Sequence, residues 1–85
     1  MMSNQVNYLS IIENLIRPLI LHQDDLRIKE FPSEDDIILI QVMLNQEDLG
    51  FVIGKNGKVA NAIRTIAYAA GSKAGIKIKI NFDSY

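Results

Sequence analysis

Residues 51–58 read FVIGKNGK. An apolar run stops at Gly54, two glycines stand three apart around Lys55 and Asn56, and a second lysine follows. In a chain of 85 residues, which buries only ~60–65 % of its unfolded surface on folding, such a break in the best apolar segment requires a reason. Glycines at 54 and 57 remove the Cβ atoms that keep other molecules away from the backbone, Lys55 and Lys58 bring positive charge, and Asn56 adds hydrogen-bonding capacity. If a helix opens at Lys58, its first N–H groups face the same loop. The loop is then a place for an anion; the alternative from the spacing alone is a tight helix–helix turn that binds nothing.

The flanking residues are consistent with helices on both sides of this loop. Asn45 is placed to cap Gln46-Glu47-Asp48, whose acids suit the positive end of a helix, so a short helix is expected from there to Val52 or Ile53. A second is expected from Lys58, with Val59, Ile63, Ile66, Ala67 and Ala70 on its apolar stripe, Asn61, Arg64 and Tyr68 facing away, and Gly71 as a left-handed cap.

Working outward, residues 6–21 carry Leu9, Ile12, Ile16 and Leu19/Ile20 at helical spacing. Pro18 cannot donate to the carbonyl of Asn14, which predicts a kink or restart there. Residues 26–31 alternate as a short strand. Pro32-Ser33-Glu34-Asp35-Asp36 is turn material, and the β-branched run Ile37–Leu44 predicts a central strand paired to the first as an antiparallel hairpin. Ile76, Ile78, Ile80 and Phe82 alternate with Lys77, Lys79 and Asn81 as a third strand. The expected class is α+β, in the order α-β-β-α-α-β, as one domain over residues 1–85.

Composition narrows the chemistry. The absence of cysteine removes disulfides, thiolate nucleophiles and sulfur-ligated metals. His22 is the single histidine and reads as solvated surface, so neither a metal site nor a His-dependent base is expected. Asp24-Asp25 and Asp35-Asp36 are adjacent acids in loops, which point apart and lack a pocket, so no catalytic residues, metal or cofactor are assigned. The first 30 residues lack the pattern of a signal peptide and no stretch approaches the ~20 apolar residues of a membrane helix, so a cytosolic protein without membrane contact is expected. The net charge of −1 hides an asymmetry: residues 1–50 hold nine acids and three bases, whereas residues 51–85 hold six bases and Asp83 alone.

Two phosphate-loop alternatives fail. A Walker loop needs four residues between its first glycine and Gly-Lys, then Ser or Thr; Gly50 to Gly54 leaves three, and Asn56 follows the lysine. A dinucleotide fingerprint needs a third glycine and a βαβ unit directly around it.

The core VIGKNGK, together with Arg17-Pro18-Leu19-Ile20, His22 to Ile28, and Ala62-Ile63-Arg64-Thr65-Ile66, resembles the KH domain in its type II arrangement, and more narrowly the KhpA family of small bacterial stand-alone KH proteins. The resemblance implies three helices on one face of a three-stranded sheet and a G-x-x-G loop that clamps about four nucleotides of single-stranded RNA. It places Gly54, Lys55, Asn56 and Gly57 on the sugar-phosphate backbone, Ile53 in the groove floor, and Lys58 and Asn61 on the helix wall. Asn56 stands where many relatives carry arginine or histidine. The resemblance further implies a role in post-transcriptional regulation or as an RNA chaperone, with homodimer formation or pairing with a KhpB-like KH protein. A protein-interaction module with a vestigial loop is the competing reading. Lys77 and Lys79 are expected on the open sheet face, solvated in preference to the alternative of RNA contact, and Ala62 and Ala69 beside the core stripe as good helix formers or a close partner contact.

Overall fold

A computed structural model of the chain describes residues 8–32 and 35–85. The elements are α1 (Tyr8–Ile16), β1 (Arg27–Pro32), β2 (Ile37–Leu44), α2 (Gln46–Lys73) and β3 (Lys77–Ser84), with 3₁₀ turns at Arg17–Leu19 and Gln23–Asp25. The class is α+β, but the described residues form two α-helices where the sequence pattern predicts three, and the order is α-β-β-α-β. The cause lies at the glycines: Lys55, Asn56 and Gly57 all take left-handed helical dihedrals, which keep the backbone curling instead of releasing it into an extended loop. The segments expected as two helices are therefore two arms of one element.

Helix α1 stops where Pro18 predicts, the chain tightening into the 3₁₀ turn that contains the proline. Val6 and the turn residues Ser33 and Glu34 lie outside the described residues. Tyr8, Ile12, Ile16 and Ile20 form the buried stripe of α1 and its continuation. The hairpin is antiparallel, with Ile28 opposite Val42 and Glu30 opposite Ile40. β3 runs parallel to β2 on its other side, with Ile38 opposite Ile78 and Ile40 opposite Ile80. Parallel strands need a crossover of about a dozen residues or more, and α2 supplies it across the face where Ile40, Val42, Leu44, Ile78 and Ile80 are buried.

The stripe that α2 buries differs from the expected one. Ala60, Ile63, Ala67 and Gly71 face the core, while Ile66 is 48 % exposed. Small side chains allow the helix to lie close on the sheet, and Gly71 is the closest point: a Cβ there would stand 2.6 Å from the Ile76 carbonyl oxygen and 2.9 Å from Ile78 Cγ1 and Cδ1. Gly71 is thus a packing residue and not the left-handed cap. That role falls to Gly75, at φ +74°. Ile76 N–H donates to Gly71 O at 2.8 Å and Gly75 N–H to Ser72 O at 3.1 Å, the paired bonds of a Schellman ending.

Asn45 caps α2 as expected, its side chain accepting from Glu47 N–H at 2.9 Å. Asp48, one of two acids in the first turn, does more than complement the helix dipole. It is 2 % exposed, and its carboxylate accepts from Leu21 N–H at 2.9 Å and His22 N–H at 2.8 Å, fastening the segment after α1 to the start of α2. His22 is not free surface: its Nε2 lies 2.9 Å from Glu47 Oε1. The Glu47 hydrogen bond, aided by the charges of Asp48, Glu47 and Asp25 against a smaller opposing effect of burial, raises the imidazole pKa above its ordinary 6.5.

Gly71→Ala should lower stability by about 1–2 kcal/mol, because the overpacking penalty exceeds the gain in helix propensity. Gly50→Ala, at an exposed helical position where a Cβ meets nothing within 4 Å, should be neutral or raise stability by up to about 1 kcal/mol; urea denaturation of the two variants checks the pair. A raised folded pKa means that the His22–Glu47 hydrogen bond contributes fully below the unfolded value of about 6.5 and that its contribution disappears as pH rises through the folded value. The melting-temperature advantage of wild type over His22→Gln should therefore be larger at about pH 6 than at about pH 8, as read by paired thermal melts.

Candidate functional site

The break in α2 is built from both sides. Upstream, Val52 is fully buried and anchors the first arm in the core, so it is no part of an exposed floor; its neighbours Phe51 and Ile53 are 53 % and 50 % exposed. Downstream, Ala60 and Ile63 anchor the second arm. Between these anchors the chain passes through Gly54 (φ −72°, ψ 176°), Lys55 (50°, 52°), Asn56 (64°, 25°) and Gly57 (70°, 24°). Asparagine tolerates the left-handed region better than most residues, which suits Asn56 to its position; Lys55 is the strained member, at roughly 1–2 kcal/mol.

The two glycines have different reasons. Gly57 has the positive φ for which glycine is suited, and its missing Cβ would lie 3.7 Å from Asn61 Nδ2. Gly54 has a negative φ that any residue adopts, and a Cβ there would meet nothing within 4 Å. Nothing inside the described molecule requires glycine at 54.

Of the residues singled out in the sequence, Ile53, Lys55, Asn56, Lys58 and Asn61 are exposed and Gly54 and Gly57 half-buried; Ile53 ends the first arm, and the others lie on the break or within the first turn after it. Asn61 also meets Arg64, whose Nη1 donates to Asn61 Oδ1 at 3.3 Å. The sequence pattern turns Arg64 away from the core. Instead it bridges α2 to β3, with Nη2 donating to Ile80 O at 3.4 Å and the guanidinium carbon 5.1 Å from the centre of the Phe82 ring. Its position three residues after Asn61, one helical turn on, is the available signal.

The second arm begins at Lys58, so its leading N–H groups and the positive end of its dipole adjoin the exposed bend. From residue 49 to residue 82 the sequence holds six bases and no acid, so nothing in this stretch opposes that charge. Beside the loop, Leu15, Leu19, Val59, Ala62, Ile63 and Ile66 line an apolar groove between α1 and the second arm, with Lys58 at its rim. Ala69, like Ala62, is exposed. The arrangement offers a partly exposed glycine backbone, mobile positive charge and an adjoining apolar wall. Among the described residues no cluster of three or more His, Cys, Asp or Glu side chains is placed to hold a metal ion, and no helix is long and apolar enough to cross a membrane.

The family model for the KH domain of KhpA and KhpB matches residues 10–82. The chain is 42 % identical over 71 residues to the RNA-binding protein KhpA of Listeria monocytogenes serovar 1/2a, covering 82 % of this chain and 91 % of that one. It is 36 % identical over 69 residues to the RNA-binding protein KhpA of Bacillus subtilis, covering 81 % and 84 %. Against the protein of that name from Aquifex aeolicus the identity is 35 % over 68 residues, covering 80 % and 85 %. With a family match that encloses the left-handed bend and the strands on which α2 packs, this chain belongs to the KhpA/KhpB KH-domain family.

Proposed function

We propose that this chain, acting as one KH domain over residues 1–85 in the cytoplasm, binds single-stranded RNA through the bend at residues 54–57. Gly54, Lys55, Asn56 and Gly57 hold about four nucleotides of sugar-phosphate backbone; Ile53 contributes apolar floor, and Lys58 and Asn61 the helix wall. The carrying observation is Gly54. A glycine with no internal steric or dihedral requirement, beside a strained exposed lysine, is accounted for by a ligand whose backbone approaches closer than a Cβ permits. The names of the relatives support RNA as that ligand. Among the described residues the three tyrosines offer no stacking platform at the loop, so base preference falls to backbone groups and the apolar floor at Ile53.

Such a short grip gains affinity from a neighbour. The proposal therefore includes a homodimer or a heterodimer with a KhpB-like KH protein, and a role in post-transcriptional regulation or as an RNA chaperone. The surface that favours pairing is the groove beside α2, where Leu19 and Ile66 remain 44 % and 48 % exposed.

Lys55→Asp combined with Asn56→Asp should keep the fold, since both side chains are exposed, and should abolish binding of a labelled single-stranded RNA pool in fluorescence anisotropy. Lys55→Ala should flatten the slope of log K against log salt by at most ~0.7 for each phosphate no longer neutralised, whereas Asn56→Ala, which removes no charge, should weaken binding and leave the slope unchanged. Equal binding by the wild type and the double variant, with unchanged circular dichroism, would return the loop to a structural role. Ile66→Asp sets a charge in the apolar groove and should shift the sedimentation coefficient from dimer to monomer while circular dichroism stays constant; a wild type that sediments as a monomer, alone and with a KhpB-like protein, refutes the pairing.

A further inference from the structure

The face of the sheet turned away from the helices has a composition of its own. By strand register, Phe31, Leu39 and Lys79 form one row across β1, β2 and β3; Lys29, Gln41 and Asn81 form the next; and Ile37 pairs with Lys77 at the end. Residues directly opposite in a ladder share a face, and these alternate with Ile38, Ile40, Ile78 and Ile80, which turn toward α2. Among the described residues no helix covers this side. Phe31 is 49 % exposed, about two strand spacings, roughly 10 Å, from Lys79. Lys29, Lys77 and Lys79 are exposed, and among the described residues none of them joins an ion pair. Glu30, between Lys29 and Phe31, belongs to the opposite face by register; on this face Asp83 accepts from Ser84 N–H, Asp35 and Asp36 lie in the hairpin turn, and Arg27 is held by the carbonyls of Asp24 and Leu26.

We propose that this open sheet face is a second contact surface for single-stranded RNA, receiving the part of a longer strand that the GKNG bend does not hold. The inference rests on the RNA-binding reading of that bend. Unpaired lysines set around an exposed aromatic ring match a chain that alternates phosphates with stacking bases. The charge also argues against a second copy as occupant: a two-fold contact through this face would bring the same lysines toward one another. A concavity joins the second arm of α2 to this side of the sheet. Tyr68 and Ser72 on α2 line it with Ile76, Lys77 and Lys79 at the outer edge of β3, and Tyr68 lies about 16 Å along α2 from Gly57.

The test compares anisotropy binding of a tetranucleotide and a hexadecanucleotide of single-stranded RNA. The variants are K29Q/K77Q/K79Q, Phe31→Ser and the loop double variant, each checked by circular dichroism. The lysine variant should bind the tetranucleotide within about twofold of wild type, bind the hexadecanucleotide about tenfold more weakly, and show a shallower salt slope with the longer strand only. Phe31→Ser should bind the longer strand about tenfold more weakly through stacking alone, with its salt slope unchanged. Wild-type binding of both strands by the lysine variant and Phe31→Ser overturns the proposal, as does a lysine variant that binds both strands normally but changes its sedimentation. Loss of the long strand by the sheet variants beside normal binding by the loop variant would sink the loop reading and leave the sheet face standing, while a wild type that binds neither RNA overturns both.

Discussion

The passage of Lys55, Asn56 and Gly57 through left-handed dihedrals is the constraint around which the molecule is arranged. Because β2 and β3 are parallel, the connection between them must return along the sheet, and it must bury an apolar stripe on the way. A straight helix of this length would project past the sheet. The left-handed turn redirects the chain with no extended loop, so Val52 before it and Ala60 after it both reach the core while the bend itself stays outside. The exposure of Lys55 and the burial of Val52 have one cause, and the strain at Lys55 persists because packed arms on either side hold it.

Asp48 carries the polar counterpart of that arrangement. A charged acceptor for two backbone N–H groups stabilises by about 1.5–3 kcal/mol per hydrogen bond. Here it joins segments 26 or more residues apart. Without it, the chain after the Pro18 turn would have to satisfy Leu21 and His22 elsewhere, and the start of α2 would be tied to that segment only through the exposed His22–Glu47 and Asn45–Asp25 contacts. The first arm is short, so its direction, and with it the placing of Ile53 and Gly54, depends on this fastening as much as on Val52.

How legible the molecule is in its sequence depends on the kind of signal. β1 and β3 are readable because apolar residues alternate with Arg, Lys or Asn, β2 because it is a β-branched apolar run, and the Asn45 cap and the Pro18 break because each residue has one dominant physical effect. The buried stripe of α2 is not: Ala60, Ala62, Ala67, Ala69 and Ala70 fit several helical faces equally well, and the face is chosen by how closely the backbone lies on the sheet, which brings Ala60, Ala67 and Gly71 inward and leaves Ile66 out. Gly71 and Gly75 are interchangeable as caps until the close approach at Ile76 and Ile78 separates them. Whether the glycines at 54 and 57 divide two helices or bend one is a matter of dihedral sign, which residue type biases without fixing. Asp48 and Arg64 escape a local reading as anchors because their partners are distant backbone atoms, invisible to any short-range pattern. At the bend, the group from Ile53 to Asn61 is a spatial cluster as well as a sequence one, whereas Val52, adjacent in sequence, does not belong to it.

Charge segregation follows from the same architecture. The acids gather in the segment that fastens the molecule, around His22, Glu47 and Asp48, and in the hairpin turn, while the bases follow α2 and β3. At physiological ionic strength the field of an exposed charge decays over about 8 Å, so an anion at the bend responds to Lys55, Lys58 and the nearby helix terminus and little to acids at the far end. A net charge of −1 therefore does not oppose anion binding. It limits indiscriminate attraction at long range, where the whole molecule is nearly neutral, and leaves attraction to act only where backbone, lysine and apolar wall meet. Selectivity for a flexible anionic chain over any passing polyanion then depends on contact geometry, which is what an unencumbered Gly54 and a rigidly held left-handed bend provide.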